Sequence, residues 1–361
     1  MPRKRAEDFR GVEAQLRALE RGDGEGELTF ADGATLKVSS LSKPYFPQAG
    51  ITKGALMRYY TRVARYLLPE IQGRALVLKR YPDGVAGPMF FQQNAGEHVP
   101  EAVRVATLDT VELGAKPRIV GGDLATLLYT VQLGAIEVHP WLSRIEDVDA
   151  PDRCLIDLDP GDDVPFSEVA ALAREVVRIA GACGLTVALK TSGASGIHVV
   201  LPLPPRTSYE TSADLALRLA EAVVSANPGR ATVERSVKAR PKRSIYVDAL
   251  QNARGKSMAA PYSVRARPAA SISAPLRERE LTGRLRIDAF TIDTVPARLK
   301  RTGDLWGDAI ATRPTARTLA RAMAALQDAS SAPPSRRGGS RRRGAGGKHA
   351  GPVPGRRAKR T

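Results

Sequence analysis

The decapeptide CLIDLDPGDD, residues 154–163, sets two aspartates, Asp157 and Asp159, in an apolar run that otherwise has the composition of a buried strand. Side chains alternate along a strand, so these carboxylates project to one face while Ile156 and Leu158 project to the other. Like charges held side by side raise each other's pKa and cost folding energy. One arrangement that offsets the cost is a divalent cation, the usual partner of hard oxygen ligands. The other is a strand end, with Asp159 capping the turn at Pro160-Gly161 and Asp157 solvated, because Asp-Pro-Gly is itself a strong turn signal. A third carboxylate, Asp248, stands in RSIYVDALQN among Ile245, Tyr246 and Val247, again a polar residue in a strand-like run. Two aspartates on one strand and one on another can converge on a metal pair, the arrangement that stabilises attacking and leaving oxygens in phosphoryl transfer.

Between these strands lies KTSGASGIHVVLPL, residues 190–203. Its stretch Ser192-Gly193-Ala194-Ser195-Gly196 lets backbone N–H groups approach a phosphate, and His198 opens the next strand, where its imidazole can donate to a phosphate oxygen. Taken singly, a glycine-rich turn is most often only a turn, and a lone histidine is more often a satisfied core or surface residue. An adjacent aromatic pair, Phe90 and Phe91, follows a Pro-Met turn. In a strand only one of the two can face the core, which leaves the other to stack on a template base; two core residues in an irregular loop are the alternative.

The elements that must position these residues read as a mixed α/β order. ELTFADGATLKVSS (27–40) alternates around Asp32-Gly33 as a hairpin. Residues 52–68 place Leu56, Tyr60, Val63 and Leu67 at helical spacing behind Thr52 as cap. A strand ALVLKRY precedes the turn Pro82-Asp83-Gly84, a helix 123–133 is capped by Asp123, and AIEVHPW is a short strand ending near His139. The CLIDLD strand is followed by helix 165–182, strand TVALKTSG, helix 211–225 and strand RSIYVDAL. The spacing is not that of a regular parallel doubly wound sheet, and no internal repeat is present.

With 361 residues, 43% apolar and 26% charged, the chain has enough core for one large domain or two. Cys154 and Cys183 sit in apolar contexts, as reduced core residues do. Neither a membrane-spanning run nor a secretory leader is visible, so the expectation is a cytoplasmic, nucleoid-associated protein with no membrane partner. The net charge of +17 is uneven: residues 331–361 carry eight Arg, two Lys and no acid, leaving about +7 on residues 1–330. A Gly/Pro/Ser-rich basic segment cannot bury a core but can bind polyanions by releasing counterions, or serve only as a solubilising extension.

The order Asp-x-Asp, then Ser-Gly-x-x-Gly-x-His, then a strand Asp resembles the archaeo-eukaryotic primase superfamily. LKRYPDGVAGPMFFQQNAGEHVP (78–100), SLSKPYFPQAGITKGALMRYY (40–60), IEVHPW (136–141) and APYSVRARPAASISAPL (260–276) are similar to the polymerase domain of bacterial DNA ligase D, the end-joining primase-polymerase. The likeness covers roughly residues 38–305, and without ligase or nuclease segments it is closest to stand-alone members. It implies an α+β fold with two packed sheets, one RRM-like, flanked by helices. The implied organisation is an N-terminal extension with helix and hairpin (1–37), a catalytic domain (38–305), a C-terminal helical segment (306–330) and a disordered basic tail (331–361).

The resemblance further implies template-dependent nucleotidyl transfer from nucleoside triphosphates to a 3′-hydroxyl, with ribonucleotides preferred over deoxyribonucleotides, at gaps or double-strand breaks in non-homologous end joining or gap repair. Asp157, Asp159 and Asp248 would hold Mn²⁺ or Mg²⁺ as a two-metal site. Ser192, Gly193, Ser195, His198 and Arg265 would hold the triphosphate, with Gln251 near the nucleotide. Lys43, Lys53, Lys79, Arg80, Phe90, Phe91 and His139 would face DNA, Lys43 and Lys53 converging on a 5′-phosphate. Implied partners are DNA ends or gapped duplex, triphosphates, Ku and a separate ligase, for a monomeric enzyme.

Three positions depart from the family pattern: Ser195 replaces a Lys common in the glycine-rich loop, Pro241 a phosphate-binding Arg, and Ser40 an Asn. Either Arg240 or Arg243 would then take the arginine's role, and the resemblance implies that both face DNA. Two other functions compete. LKRYPDGV is superficially similar to the Lys-x-Asp-Gly of lysyl-adenylating ligases, although three residues separate Lys79 from Asp83. A non-catalytic DNA-end-binding module with structural carboxylates is the other.

Overall fold

The architecture is that of a computed structural model, which describes residues 8–110 and 114–331; the basic segment beyond Ser331 lies outside the described residues. An N-terminal helix α1 (Phe9–Arg21), capped by Asp8, leads into the antiparallel hairpin β1 (Gly26–Thr29) and β2 (Thr35–Val38) expected around Asp32-Gly33. The long helix α2 (Lys53–Ile71) starts where Thr52 accepts a hydrogen bond from the Ala55 N–H. It runs three residues beyond the expected end, through Pro69, and its Glu70 carbonyl accepts from the Arg74 guanidinium. Its apolar stripe, Leu56, Tyr60, Val63 and Leu67, is fully buried.

Two sheets carry the site. The first has three antiparallel strands, β3 (Leu76–Arg80) flanked by β4 (Phe90–Gln92) and β5 (Ala135–Pro140), with helix α3 (Leu124–Gln132, capped by Asp123) feeding β5. The second is a six-stranded sheet. It contains β6 (Arg153–Pro160), β7 (Ala188–Thr191), β8 (Ile197–Pro202), β9 (Ala231–Thr232), β10 (Ile245–Asp248) and β11 (Pro275–Leu276) in the spatial order 9-10-6-8-7-11.

Helix α4 (Phe166–Ala182) joins β6 to β7, and α5 (Tyr209–Ala226) joins β8 to the β9/β10 side. The core is therefore a βαββαβ unit with central order 10-6-8-7, all antiparallel, which is the split βαβ topology of RRM-like folds.

One face of β6 is closed by these helices. Cys154, Ile156 and Leu158 are fully buried there, and the Cys154 thiol donates to the Ser212 carbonyl of α5. Val169, Leu172 and Val176 of α4, with Leu215, Leu219 and Val223 of α5, complete the layer. Each such side chain stabilises by roughly 1.5–3 kcal/mol on burial, which holds the sheet against the charge collected on its other face. Helices α6 (Thr294–Thr302), α7 (Leu305–Ala311) and α8 (Ala316–Ser331) follow the sheet, α8 packing on α5. Among the described residues no helix is long and apolar enough to cross a membrane.

Helix α2 ties the first sheet to the segment 262–264. Tyr60 donates to the Ile136 carbonyl of β5 at 2.6 Å and accepts from the Val264 N–H at 3.1 Å, while Tyr59 donates to the Tyr262 carbonyl. These bonds fix the segment that carries Arg265 against β5.

Candidate active site

The ladder of β6 sets Asp157 opposite Asp248 on one side and His198 on the other, and His198 in turn opposite Lys190. Cross-strand partners share a face. A row Asp248–Asp157–His198–Lys190 therefore crosses the sheet on the side away from α4 and α5, and Asp159 adds a carboxylate to that face two residues further along. Of the two readings of CLIDLDPGDD, the strand-end reading does not describe these residues: β6 continues through both aspartates to Pro160.

Asp157 keeps 29% of its side chain exposed at the mouth of a cavity of about 360 Å³, which also reaches Asp159, Ser192, His198, Gln251 and Arg265. Burial, with Asp159 and Asp248 adding to it, pushes the Asp157 carboxyl up to about 7. Asp159 is raised too, by burial foremost and by Asp248, against the opposing pull of Arg240 and a hydrogen bond from Ser195. Asp248 accepts from the Leu250 N–H (2.8 Å), Gln251 Nε2 (3.0 Å) and the Tyr246 hydroxyl (3.3 Å). Gln251 thus orients a carboxylate as well as lining the cavity.

An all-oxygen set whose members repel one another fits a hard divalent cation. Among the described residues no three His, Cys, Asp or Glu side chains form a ready-made cage. A cation held here would complete its shell with water and with phosphate oxygens of a substrate, as Mg²⁺ commonly does.

The glycine-rich loop closes on itself. Ser192 Oγ accepts from the N–H groups of Ala194, Ser195 and Gly196 at 3.1, 3.3 and 2.9 Å. These amides therefore converge on a buried hydroxyl, whereas the sequence pattern suggested amides aimed at a phosphate. The glycines have steric reasons. Gly193 is left-handed (φ 73°), and a Cβ on it would come within 2.6 Å of the Arg265 side chain, while one on Gly196 would lie 2.2 Å from the Leu158 carbonyl oxygen.

The opposite wall is organised by a residue that the sequence motifs did not single out. Glu137 of β5, 2% exposed, accepts from Lys79 Nζ (3.2 Å), His139 Nε2 (2.9 Å), Arg265 Nε (2.9 Å) and the Ala266 N–H (3.1 Å). These partners, the His139 and Arg265 contacts foremost, hold its carboxyl far below the usual range despite burial. Arg265 also donates to the Ser192 carbonyl, which brings the guanidinium over the loop.

Alternation was the available signal for Glu137: in IEVHPW it shares its face with His139. Lys190 was likewise missed; it is 0% exposed, lies 2.6 Å from His198 Nδ1 and donates to Ser273 Oγ at 2.9 Å.

Beyond Asp159 and Ser195 opens a larger cleft of about 1340 Å³ whose walls include Arg240, Lys242, Arg243, Arg267 and Arg286. The Arg240 guanidinium stacks 3.9 Å over the Tyr246 ring, and its charge is felt at Asp159. Arg243, 67% exposed, points to Glu168 at 4.0 Å. The geometry thus brings Arg240 to the carboxylates and leaves Arg243 on the rim.

The remaining basic and aromatic residues lie on the N-terminal half. Lys53, 5% exposed, donates to the Ser39 carbonyl at 3.0 Å, and its amine is lowered to about 8 by burial and the neighbouring Lys43. Lys43 pairs with Asp83 at 2.7 Å. Asp83 is thereby engaged away from Lys79, whose partner is Glu137, so the two do not form a lysyl-adenylation site. Arg80 donates to the Leu133 carbonyl and Gln92 and lies 5.0 Å from the Phe90 ring. Phe90 and Phe91 are 46% and 58% exposed. The expectation that one of them faces the core fails, because β4 is a three-residue edge strand with neither face covered.

A primase-like βαββαβ sheet that gathers carboxylates, a histidine and a basic wall at one cavity defines a polymerase-type domain of the nucleotidyltransferase class. The chain belongs to the family described as LigD, primase-polymerase domain, whose model matches residues 52–306. It is 34% identical over 269 residues to the bifunctional non-homologous end joining protein LigD of Bacillus subtilis, covering 74% of this chain and 43% of that protein. It is 30% identical over 283 residues to the multifunctional non-homologous end joining protein LigD of Pseudomonas aeruginosa, covering 78% and 33%. The polymerase domain from Mycobacterium tuberculosis ligase D, solved in complex with DNA, superposes with a TM-score of 0.71 at 30% identity, covering 77% of this chain and 99% of that one. The chain spans less than half the length of these curated relatives.

Proposed function

We propose that this chain is a template-dependent nucleotidyltransferase that adds nucleotides, ribonucleotides by preference, to 3′ ends at gaps or double-strand breaks. The observation that carries the proposal is the register-fixed face on which Asp157 meets Asp248 and His198, with Asp159 beside them and Arg265 across the cavity. Asp157, Asp159 and Asp248 hold Mn²⁺ or Mg²⁺; when bound, the metal supplies charge neutralisation at the primer hydroxyl and the leaving pyrophosphate.

The other side chains bind and orient. His198 and Arg265 donate to the triphosphate, Arg265 being preset by Glu137 so that little is lost in ordering it. Ser192 shapes the loop over which the triphosphate lies. Arg240 takes the place of the family arginine that Pro241 displaces. The exposed Phe90 and Phe91 stack on the template, and Lys43 and Lys53 bind the 5′-phosphate that marks a break. The catalytic unit spans residues 38–305 and works as a monomer, with Ku and a DNA ligase activity completing repair in the cytoplasm.

Extension of a 5′-phosphorylated gapped duplex with labelled triphosphates and Mn²⁺ tests the proposal. Template-directed incorporation is expected. DNA binding without incorporation would instead identify an end-binding module.

A further inference from the structure

Next to the carboxylates, His198 is held from behind by a fully buried lysine. Lys190 Nζ lies 2.6 Å from His198 Nδ1 and 2.9 Å from Ser273 Oγ. Ser273 commits its one hydroxyl proton to the Thr191 carbonyl at 2.8 Å, so towards Lys190 it accepts. A lysine ammonium has three donors and no acceptor. With Lys190 as the ammonium, His198 Nδ1 is the acceptor and the ring proton falls on Nε2, the nitrogen 3.5 Å from Asp157 that faces the cavity.

We propose that Lys190 is a positioning residue: by donating to Nδ1 it locks His198 as the neutral Nε2–H tautomer, which presents an N–H donor to a phosphate oxygen of the incoming nucleotide. The inference rests on the nucleotidyltransferase reading for the identity of the ligand, but not for the tautomer itself.

Several features support it. The pair is built into the sheet, because Lys190 and His198 are cross-strand partners and their side chains share a face by register. Burial foremost, and then Arg265, hold the Lys190 amine well below its ordinary range, while Asp157 and Glu70 draw it back towards the ammonium; burial and the lysine charge together disfavour a second proton on His198. A buried lysine is expensive to keep, and an uncharged side chain of similar length would fill the same space. A free imidazole could turn its acceptor nitrogen to the cavity, where it would repel phosphate oxygens; the lysine removes that state. The second-sphere hydrogen bonds that set tautomers of metal-ligating histidines act in the same way.

The test is nitrogen-15 NMR of histidine-labelled full-length protein, the resonances assigned with only four histidines in the chain. Wild type at neutral pH is expected to show His198 protonated at Nε2 and bare at Nδ1. Protonation at Nδ1, or at both nitrogens, would overturn the proposal whatever the enzyme's activity. In Lys190→Met the tautomers should mix, and the dissociation constant for a nucleoside triphosphate should rise roughly tenfold, the worth of one hydrogen bond to a charged group.

Unchanged tautomer and affinity, or weaker affinity with the tautomer unchanged, would each reduce Lys190 to a structural role. Should Lys190→Met not fold, Lys190→Gln provides the second variant: its amide N–H restores the donor, so the Nε2–H form is expected to persist, and a change to Nδ1–H would count against the assignment. A wild type with the expected tautomer but no polymerase activity would leave this inference standing and remove the function.

Discussion

Asp157 and Asp248 face each other as direct partners across two antiparallel strands, a register that forces two carboxylates into one another's field. Burial foremost, with the fields of Asp159 and Asp248 added to it, pushes the Asp157 carboxyl up to about 7, well above an ordinary aspartate. Between about pH 4 and 7 the folded state binds more protons than the unfolded one, so stability falls as pH rises through that window. Asp157→Asn does not titrate. Without added metal it should be more stable than wild type at pH 8, by on the order of 1–2 kcal/mol, with little difference at pH 4. Denaturant titrations at the two pH values check this. The same variant should lose nucleotide incorporation while keeping DNA affinity; retained incorporation would remove Asp157 from the site.

Glu137→Gln probes the opposite wall. The amide keeps the size of the side chain but loses the charge that gathers Lys79, His139 and Arg265. With Arg265 no longer preset, the KM for nucleotide should rise roughly tenfold or more, as expected for loss of charge-assisted hydrogen bonds. Affinity for the 5′-phosphate should not change, because Lys43 and Lys53 have other partners. Steady-state kinetics alongside binding to phosphorylated gaps separates the two.

The contrast between these two walls shows what the sequence discloses. Asp157, Asp159, Asp248 and His198 were legible because strand alternation makes a polar residue in an apolar run conspicuous, and the ladder then brings such residues to one face. Helix starts at Thr52 and Asp123 were legible from capping chemistry. Glu137 and Lys190 were not singled out, because a single charge in a short strand carries no signal of its partner; Glu137 needs Arg265, 128 residues away, to explain it. Phe90 and Phe91 show the converse limit: alternation assigns faces, but only the tertiary structure reveals that β4 has no cover on either.

Arg240 and Arg243 flank Pro241 yet face different neighbours, Tyr246 and Asp159 for the first and Glu168 for the second. Arg240→Ala should weaken triphosphate binding by several fold, in line with one charged hydrogen bond. Arg243→Ala should leave it unchanged. Isothermal titration with a non-hydrolysable triphosphate decides; equal effects would mean that the stacking on Tyr246 does not select the arginine.

The ten positive charges of residues 331–361 lie outside every motif of the site. Truncation after Ser331 should flatten the salt dependence of DNA binding, each lost phosphate contact reducing the slope of log K against log salt by about 0.9. Incorporation at saturating DNA should be unaffected. Binding measured at several salt concentrations gives the slope, and an unchanged value would make the segment a solubilising extension.

Lys53 offers a pH test of break recognition. Its amine, lowered to about 8 by burial and by Lys43, is cationic at pH 7 and largely neutral by pH 9. A terminal phosphate carries more charge than an internal phosphodiester, so preference for a 5′-phosphorylated gap depends on how much positive charge Lys43 and Lys53 present together. The preference should be strong at pH 7 and decline as pH rises through 8, with proton uptake accompanying binding in that range because the phosphate draws the proton back onto Lys53. Lys53→Arg stays charged, so in a variant that folds the preference should persist to pH 9. Lys43→Ala removes the repelling neighbour, so the Lys53 amine should titrate at higher pH even as overall affinity falls. Fluorescence anisotropy with phosphorylated and unphosphorylated gaps between pH 6.5 and 9 follows each of these. A wild-type preference that is flat across this range would show that Lys53 does not meet the phosphate.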